Sequence, residues 1–213
     1  MAIDYRKRED PPISLTKVTL TKTSPQVSLT KQGGQLRVNL NWDSQPASGG
    51  GLMKRLTGGG GIDLDLGCLY ELTDGSKGVV QALGNAFGRL DAPPYIQLSG
   101  DDRSGQNAGG EDLFVNLAHA GQIRRVLVFA IIYQGVASFD LANAVVTLSP
   151  ASGPAIELRL DERGGSARLC AIALLEGSGG ELSVRREVRY IDGSQSALDQ
   201  AYGWGMNWAR GRK

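Results

Sequence analysis

The chain has one histidine, two cysteines and almost no net charge, and each scarcity closes off a class of function. A single histidine, His119, cannot build a histidine-pair metal site. It is also the only candidate base for a hydrolytic triad. It sits in NLAHAGQIRR, a connector between two apolar runs, with no GxSxG nucleophile signature beside it. Cys68 and Cys170 lie far apart, so no CxxC redox or zinc motif exists. Each sits in an apolar run, CLYEL and RLCAIALL, and reads as a small buried hydrophobe in a reducing compartment. A net charge of +1 supplies no global field for nucleic acid or an anionic membrane. No apolar run reaches the length of a membrane span, and the longest, RVLVFAIIY (125–133), fits one buried strand. The opening MAIDYRKREDPPIS lacks the apolar core of a secretory signal, so a cytoplasmic location is expected.

What the chain does have is glycine, 30 of 213 residues, together with 41% hydrophobic residues. That combination provides one sizeable core and many turns. Residues 1–12 are charged, end in Pro11-Pro12, and read as a flexible tail. From Ile13 onward apolar and polar residues alternate at period two: ISLTKVTLTK, VSLTK, then QLRVNLNW. A long Gly-rich connection follows, SQPASGGGLMKRLTGGGG (44–61). IDLDLGCLYELT (62–73) alternates again before an Asp74-Gly75 hairpin signal. Residues 79–90 are irregular. Further strands are expected at 95–98, 113–117, 125–133, 144–148, 155–160, 167–176 and 181–190, and a short helix at 196–210. This pattern predicts an all-β antiparallel β-sandwich over residues 13–192, with long acidic and Gly-rich loops, followed by an aromatic and basic C-terminal segment at 193–213.

The acidic residues carry the chemistry. On the strand IDLDL, Ile62, Leu64 and Leu66 face one way while Asp63 and Asp65 face the other. Two carboxylates on one strand face repel, and a divalent cation removes that cost. The loop SGDDRSGQNAGGED (99–112) repeats the logic with Asp101, Asp102, Glu111 and Asp112, to which Asn107 adds an amide oxygen. It is not an EF-hand, because Arg103, Gly105 and Gln106 stand where that motif requires acids or amides and then glycine.

These same residues carry a family resemblance. Val27-Ser-Leu-Thr-Lys, Asn41-Trp42-Asp43, Asp63-Leu-Asp-Leu and Ser99-Gly-Asp-Asp through Gly110-Glu-Asp, in that order, resemble the TerD-like tellurite-resistance and stress proteins of bacteria. The resemblance covers about residues 15–190, and ALDQAYGWGMNW with the long Gly-rich insertion is similar to the TerA-like branch. It implies a β-sandwich that binds Ca2+ at one end, through Asp63 and Asp65 from the strand and Asp101, Asp102, Glu111 and Asp112 from the loop. Gln106 and Gly110 depart from the pattern, standing where further acids are expected. Asp43 is an outside candidate, equally readable as a turn residue.

Other features read as structural. The Gly-rich connection has no Gly-Lys-Ser/Thr end, so it is not a phosphate loop. Arg124, Arg125, Arg185, Arg186 and Arg189 lack interleaved aromatics and read as solvated, so nucleic acid is not expected as a partner. Trp204, Trp208 and Tyr202 with a cationic end either pack back on the sandwich or dock on a protein or membrane surface. The expected function is a calcium-binding, non-enzymatic stress protein whose metal-ordered loops meet other proteins of the same stress system. A small-molecule substrate is not expected. Two further readings stay open: a scaffold whose metal site is degenerate, and a metal-assisted hydrolase, for which no base or nucleophile is placed.

Overall fold

The computed structural model describes residues 17–29, 33–43, 62–99, 109–136 and 138–208. The N-terminal tail and the Gly-rich connection fall outside these residues, as do Asp101, Asp102 and Asn107 of the acidic loop. Among the described residues, thirteen strands form two stacked sheets. In chain order they are β1 (Lys17–Thr19), β2 (Gln26–Leu29), β3 (Gln35–Asn41), β4 (Asp63–Leu72), β5 (Lys77–Gln81), β6 (Gly88–Arg89) and β7 (Ile96–Leu98). They continue with β8 (Glu111–Asn116), β9 (Ile123–Gln134), β10 (Val145–Ser149), β11 (Ala155–Arg159), β12 (Leu169–Ser178) and β13 (Glu181–Ile191). One sheet runs β1-β11-β10-β3-β8-β7-β6, the other β2-β13-β12-β9-β4-β5.

The β-sandwich expected from alternation is present, with one departure. β1 pairs parallel to β11, with Lys17 opposite Ala155, while the remaining ladders are antiparallel. Consecutive short strands β1 and β2 enter different sheets, so one continuous segment ties the two layers together along one side. β4 and β5 form the hairpin announced by Asp74-Gly75, with the Gly75 amide donating to the Leu72 carbonyl.

β9 explains the longest apolar run. Its even-numbered residues Val126, Val128, Ala130 and Ile132 face the space between the sheets. Its odd-numbered Leu127 and Phe129 belong to a second cluster with Leu69, Leu169, Leu198 and Trp204, on the outer face. A strand buried on both sides needs no alternation, and β9 shows none. The outer cover is α1 (Gln195–Tyr202) with residues 203–208. The helix is shorter than the 196–210 expected. It ends at Gly203, whose φ of +61° is left-handed and halts it. Beyond it, buried Asp199 accepts from the amides of Gly205 and Met206, both at 2.9 Å, and from the indole of Trp208 at 3.0 Å. The tryptophans are thus folded onto the sheet. Trp204 is fully buried, donates to the Tyr70 carbonyl at 3.0 Å, and carries the Arg125 guanidinium 3.8 Å above its ring.

Arg125 also joins this cover to the sheet's charges. It donates to Glu71 at 2.6 Å and to the Tyr202 and Gly203 carbonyls. Arg124 and Lys77 complete the cluster around Glu71. Burial works against the Glu71 carboxylate, but the hydrogen bond and charge of Arg125, with Lys77 and Arg124, outweigh it and hold its pKa below the ordinary 4.5. Arg185 and Arg186 are paired as well, with Glu187 and Glu162.

Two outcomes follow from this packing. Trp204→Ala should cost about 3–5 kcal/mol in urea unfolding, as for other large buried aromatics. Glu71→Gln should cost about 2 kcal/mol at pH 7, the worth of charge-assisted hydrogen bonds. A carboxylate with a lowered pKa contributes above its ordinary value of 4.5 and loses that contribution as pH falls through its folded pKa. The stability gap between Glu71→Gln and the parent should therefore close below that pH in melts run from pH 7 to 3.

Candidate metal centre

One end of the sandwich collects the acidic residues, and the pairing registers show how. At that end β3 finishes at Asn41, β4 begins at Asp63 opposite Gln134, and β8 begins at Glu111 opposite Leu40. β7 finishes there too, and the Ser99 amide donates to the Asp112 carbonyl at 2.9 Å. The described residues on either side of the long connections, 44–61 and 100–108, therefore all lie at this end. Trp42 pins the mouth of the first, its indole donating to the Ile62 carbonyl at 2.8 Å.

Alternation along β4 holds from Leu64 onward, while a register shift between Asp63 and Leu64 interrupts it at the strand's first residue. Ile62, Leu64 and Leu66 enter the inner core, and Asp65 lines a cavity shared with the outer-face side chains Phe129 and Ile131. Asp63 is buried at 8% exposure, rather than a solvated strand-face residue. Glu111 is only 2% exposed, and its Oε2 accepts from the Leu66 amide at 2.6 Å. That bond spans from the seven-stranded sheet to the six-stranded one. It uses a β4 amide beyond the end of β5, whose pairing stops at Gly67 opposite Gln81. The glutamate is thus a strut between layers as well as an acid.

Asp112 is placed differently. It follows Glu111 on the same strand and so faces the opposite side of the sheet. Arg37 grips it bidentately, Nε to Oδ1 at 2.7 Å and Nη2 to Oδ2 at 3.0 Å, and Asn39 donates to Oδ1 at 2.9 Å. The hydrogen bond to Asp112 raises the Arg37 pKa; burial opposes it, and the charge of Asp112 adds a smaller raising effect. Both Asp112 oxygens are thus engaged by β3 side chains on the outer face. Asp43 is a turn residue: its amide donates to the Ala142 carbonyl, and the Asn143 amide group donates to its carboxylate at 2.7 Å.

Gly110 also has a local reason. Its φ is +70°, and a Cβ would stand 2.0 Å from the Leu40 carbonyl oxygen. A side chain there, acidic or not, collides with β3, so the residue that departs from the acidic pattern is the one that lets the loop rejoin the sheet. Sequence reasoning missed this constraint, together with the Arg37–Asp112 clamp and the Glu111 strut. The alternation of QLRVNLN does put Arg37 and Asn39 on one face, but only the β3–β8 register brings Asp112 to them.

Among the described residues, no group of three or more His, Cys, Asp or Glu side chains is gathered as a metal site. Asp63, Asp65 and Glu111 stand around the first residues of β4, and the other expected donors, Asp101, Asp102 and Asn107, lie outside the described residues. His119 is at the opposite end of β8, stacked on Tyr95 with ring centroids 4.1 Å apart. Cys68 and Cys170 are buried free thiols whose pKa values burial pushes up. No helix among the described residues is long and apolar enough to cross a membrane.

Over 203 residues, 94% of this chain, the sequence is 48% identical to "Tellurium resistance protein TerA" of Alcaligenes sp.. The chain belongs to the TerA-like tellurium resistance family. It spans 60% of that relative's own length. No family model matches the chain. Among solved structures, the crystal structure of a protein of unknown function, SAV2460, superposes with a TM-score of 0.56 at 18% identity, covering 85% of this chain and 99% of that one. That likeness concerns the fold, a β-sandwich in this TerA-like chain.

Gly110→Ala tests the constraint on the loop's return. Strain alone should cost about 1–3 kcal/mol in chemical denaturation. Gly109→Ala, with open space around its Cβ, should be close to neutral.

Proposed function

We propose that this TerA-like chain is a non-enzymatic tellurite-resistance stress protein of the cytoplasm, whose acidic end binds Ca2+ and presents ordered loops to other proteins of the same stress system. The observation that carries the reading is the placement of two buried carboxylates at one end of the sandwich, Glu111 where the acidic loop rejoins at β8 and Asp63 at the start of β4. Burying carboxylates is costly, and proteins meet the cost with cationic partners or metals. A hard divalent cation suits an all-oxygen donor set drawn from strand and loop. In this reading Asp63, Asp65 and Glu111 act from the strands, while Asp101, Asp102 and Asn107 act from the loop. Asp112 stays with Arg37, positioning β8. The relative's name supports the tellurite-resistance assignment.

Bound Ca2+ would supply positive charge that lets the acids of strand and loop approach one another. Glu111 joins the two sheets at that point through Leu66, which supports a site whose strand donors would be positioned in advance of the metal. Two variants test the reading. At Ca2+ one hundred times its Kd, linkage adds about 2.7 kcal/mol of stability, seen as a raised Tm. Asp63→Asn and Asp101→Asn should each remove most of that increment while leaving the metal-free Tm near the parent value. A Tm indifferent to millimolar Ca2+, with no heat of binding by calorimetry, would sink the metal assignment and favour a scaffold.

A further inference from the structure

We propose that a second site, in the cavity between the end of the six-stranded sheet and the start of α1, binds a small apolar molecule that carries one anionic group. The cavity is about 290 Å³, at the lower end of the range of ligand pockets. Its lining is largely apolar: Phe129, Ile131 and Leu169 from the sheet, with Leu83 at the rim. Three large hydrophobic side chains are exposed among the described residues, and two of them, Leu83 at 38% and Tyr133 at 44%, belong to this one cavity. Apolar side chains left uncovered around a hollow, rather than scattered, mark a binding surface.

The head-group chemistry comes from Arg168. Its Nε and Nη2 donate to the Ile132 carbonyl at 3.0 and 2.8 Å, and Nη2 also reaches the Tyr133 carbonyl at 2.7 Å. Those bonds anchor the guanidinium to the end of β9 at the cavity's edge. They are bonds to neutral carbonyls, and among the described residues Arg168 forms no ion pair with a carboxylate. Among the described residues the cation is thus held in place by Nε and Nη2 without a carboxylate partner, an arrangement suited to a carboxylate or similar anion. Asp65 is the one acidic residue in the lining. Asp65 and Leu169 both register on Ile131 from opposite sides. Their strands are thus two spacings apart, roughly 10 Å. An anion seated on Arg168 keeps Ile131 between itself and Asp65.

Six-carbon probes differing only in the head group test this: hexanoate, hexanol and hexylamine, titrated into the full chain in EDTA and followed by 1H–15N amide shifts. EDTA separates this site from the calcium reading, since either can fail without the other. Hexanoate should give saturable shifts confined to Leu83, Leu169 and Gly193 to Gln195, with affinity roughly tenfold above hexylamine, the scale of one charge-assisted hydrogen bond. Arg168→Gln should erase that preference, and Leu83→Asp, a change at an exposed rim position, should weaken hexanoate without lowering the Tm. The proposal is overturned if hexylamine binds as tightly as hexanoate, if shifts fall elsewhere or fail to saturate, or if Leu83→Asp leaves hexanoate affinity unchanged.

Discussion

The burial of β9 on both faces is the constraint on which the rest of this structure depends. Its inner residues fill the space between the sheets, and its outer residues, Leu127 and Phe129, require a second cover. α1 and the segment after it provide that cover. They are fastened by few but specific bonds: Trp204 to Tyr70, Arg125 to the Tyr202 and Gly203 carbonyls, Asp199 to three N–H donors. The C-terminal aromatic segment therefore belongs to the core. The basic residues Arg124 and Arg125, which could have formed a cationic patch, are drawn instead to Glu71.

The same layering explains the acidic end. β4 sits between β9 and the short β5, and where β5 stops, the first residues of β4 lose a neighbour. Glu111 fills that gap from the opposite sheet. Asp63 and Asp65 lie on the same few residues of β4. Gly110 fixes the path by which the acidic loop returns, for a steric reason rather than an electrostatic one. Asp65 stands between this end and the apolar cavity under α1, so the two proposed sites share a strand while differing in chemistry.

Much of the architecture was legible in the sequence. Period-two alternation in QLRVNLN and LDL, turn signals at regular spacing, and the unbroken run of β9 determine a sandwich and the facing of Asp65, because strand geometry sets which side chains share a face; the register shift beside Asp63 is not written in that pattern. Local sequence also marks where the helix stops, since Gly203 can take the left-handed conformation. What the tertiary structure decided is everything that needs a partner strand: that Asp112 meets Arg37, that Glu111 bridges the sheets, that β1 pairs parallel with β11, and that the tryptophans turn inward. Those outcomes depend on register and on which sheet lies opposite, and a one-dimensional pattern does not encode either.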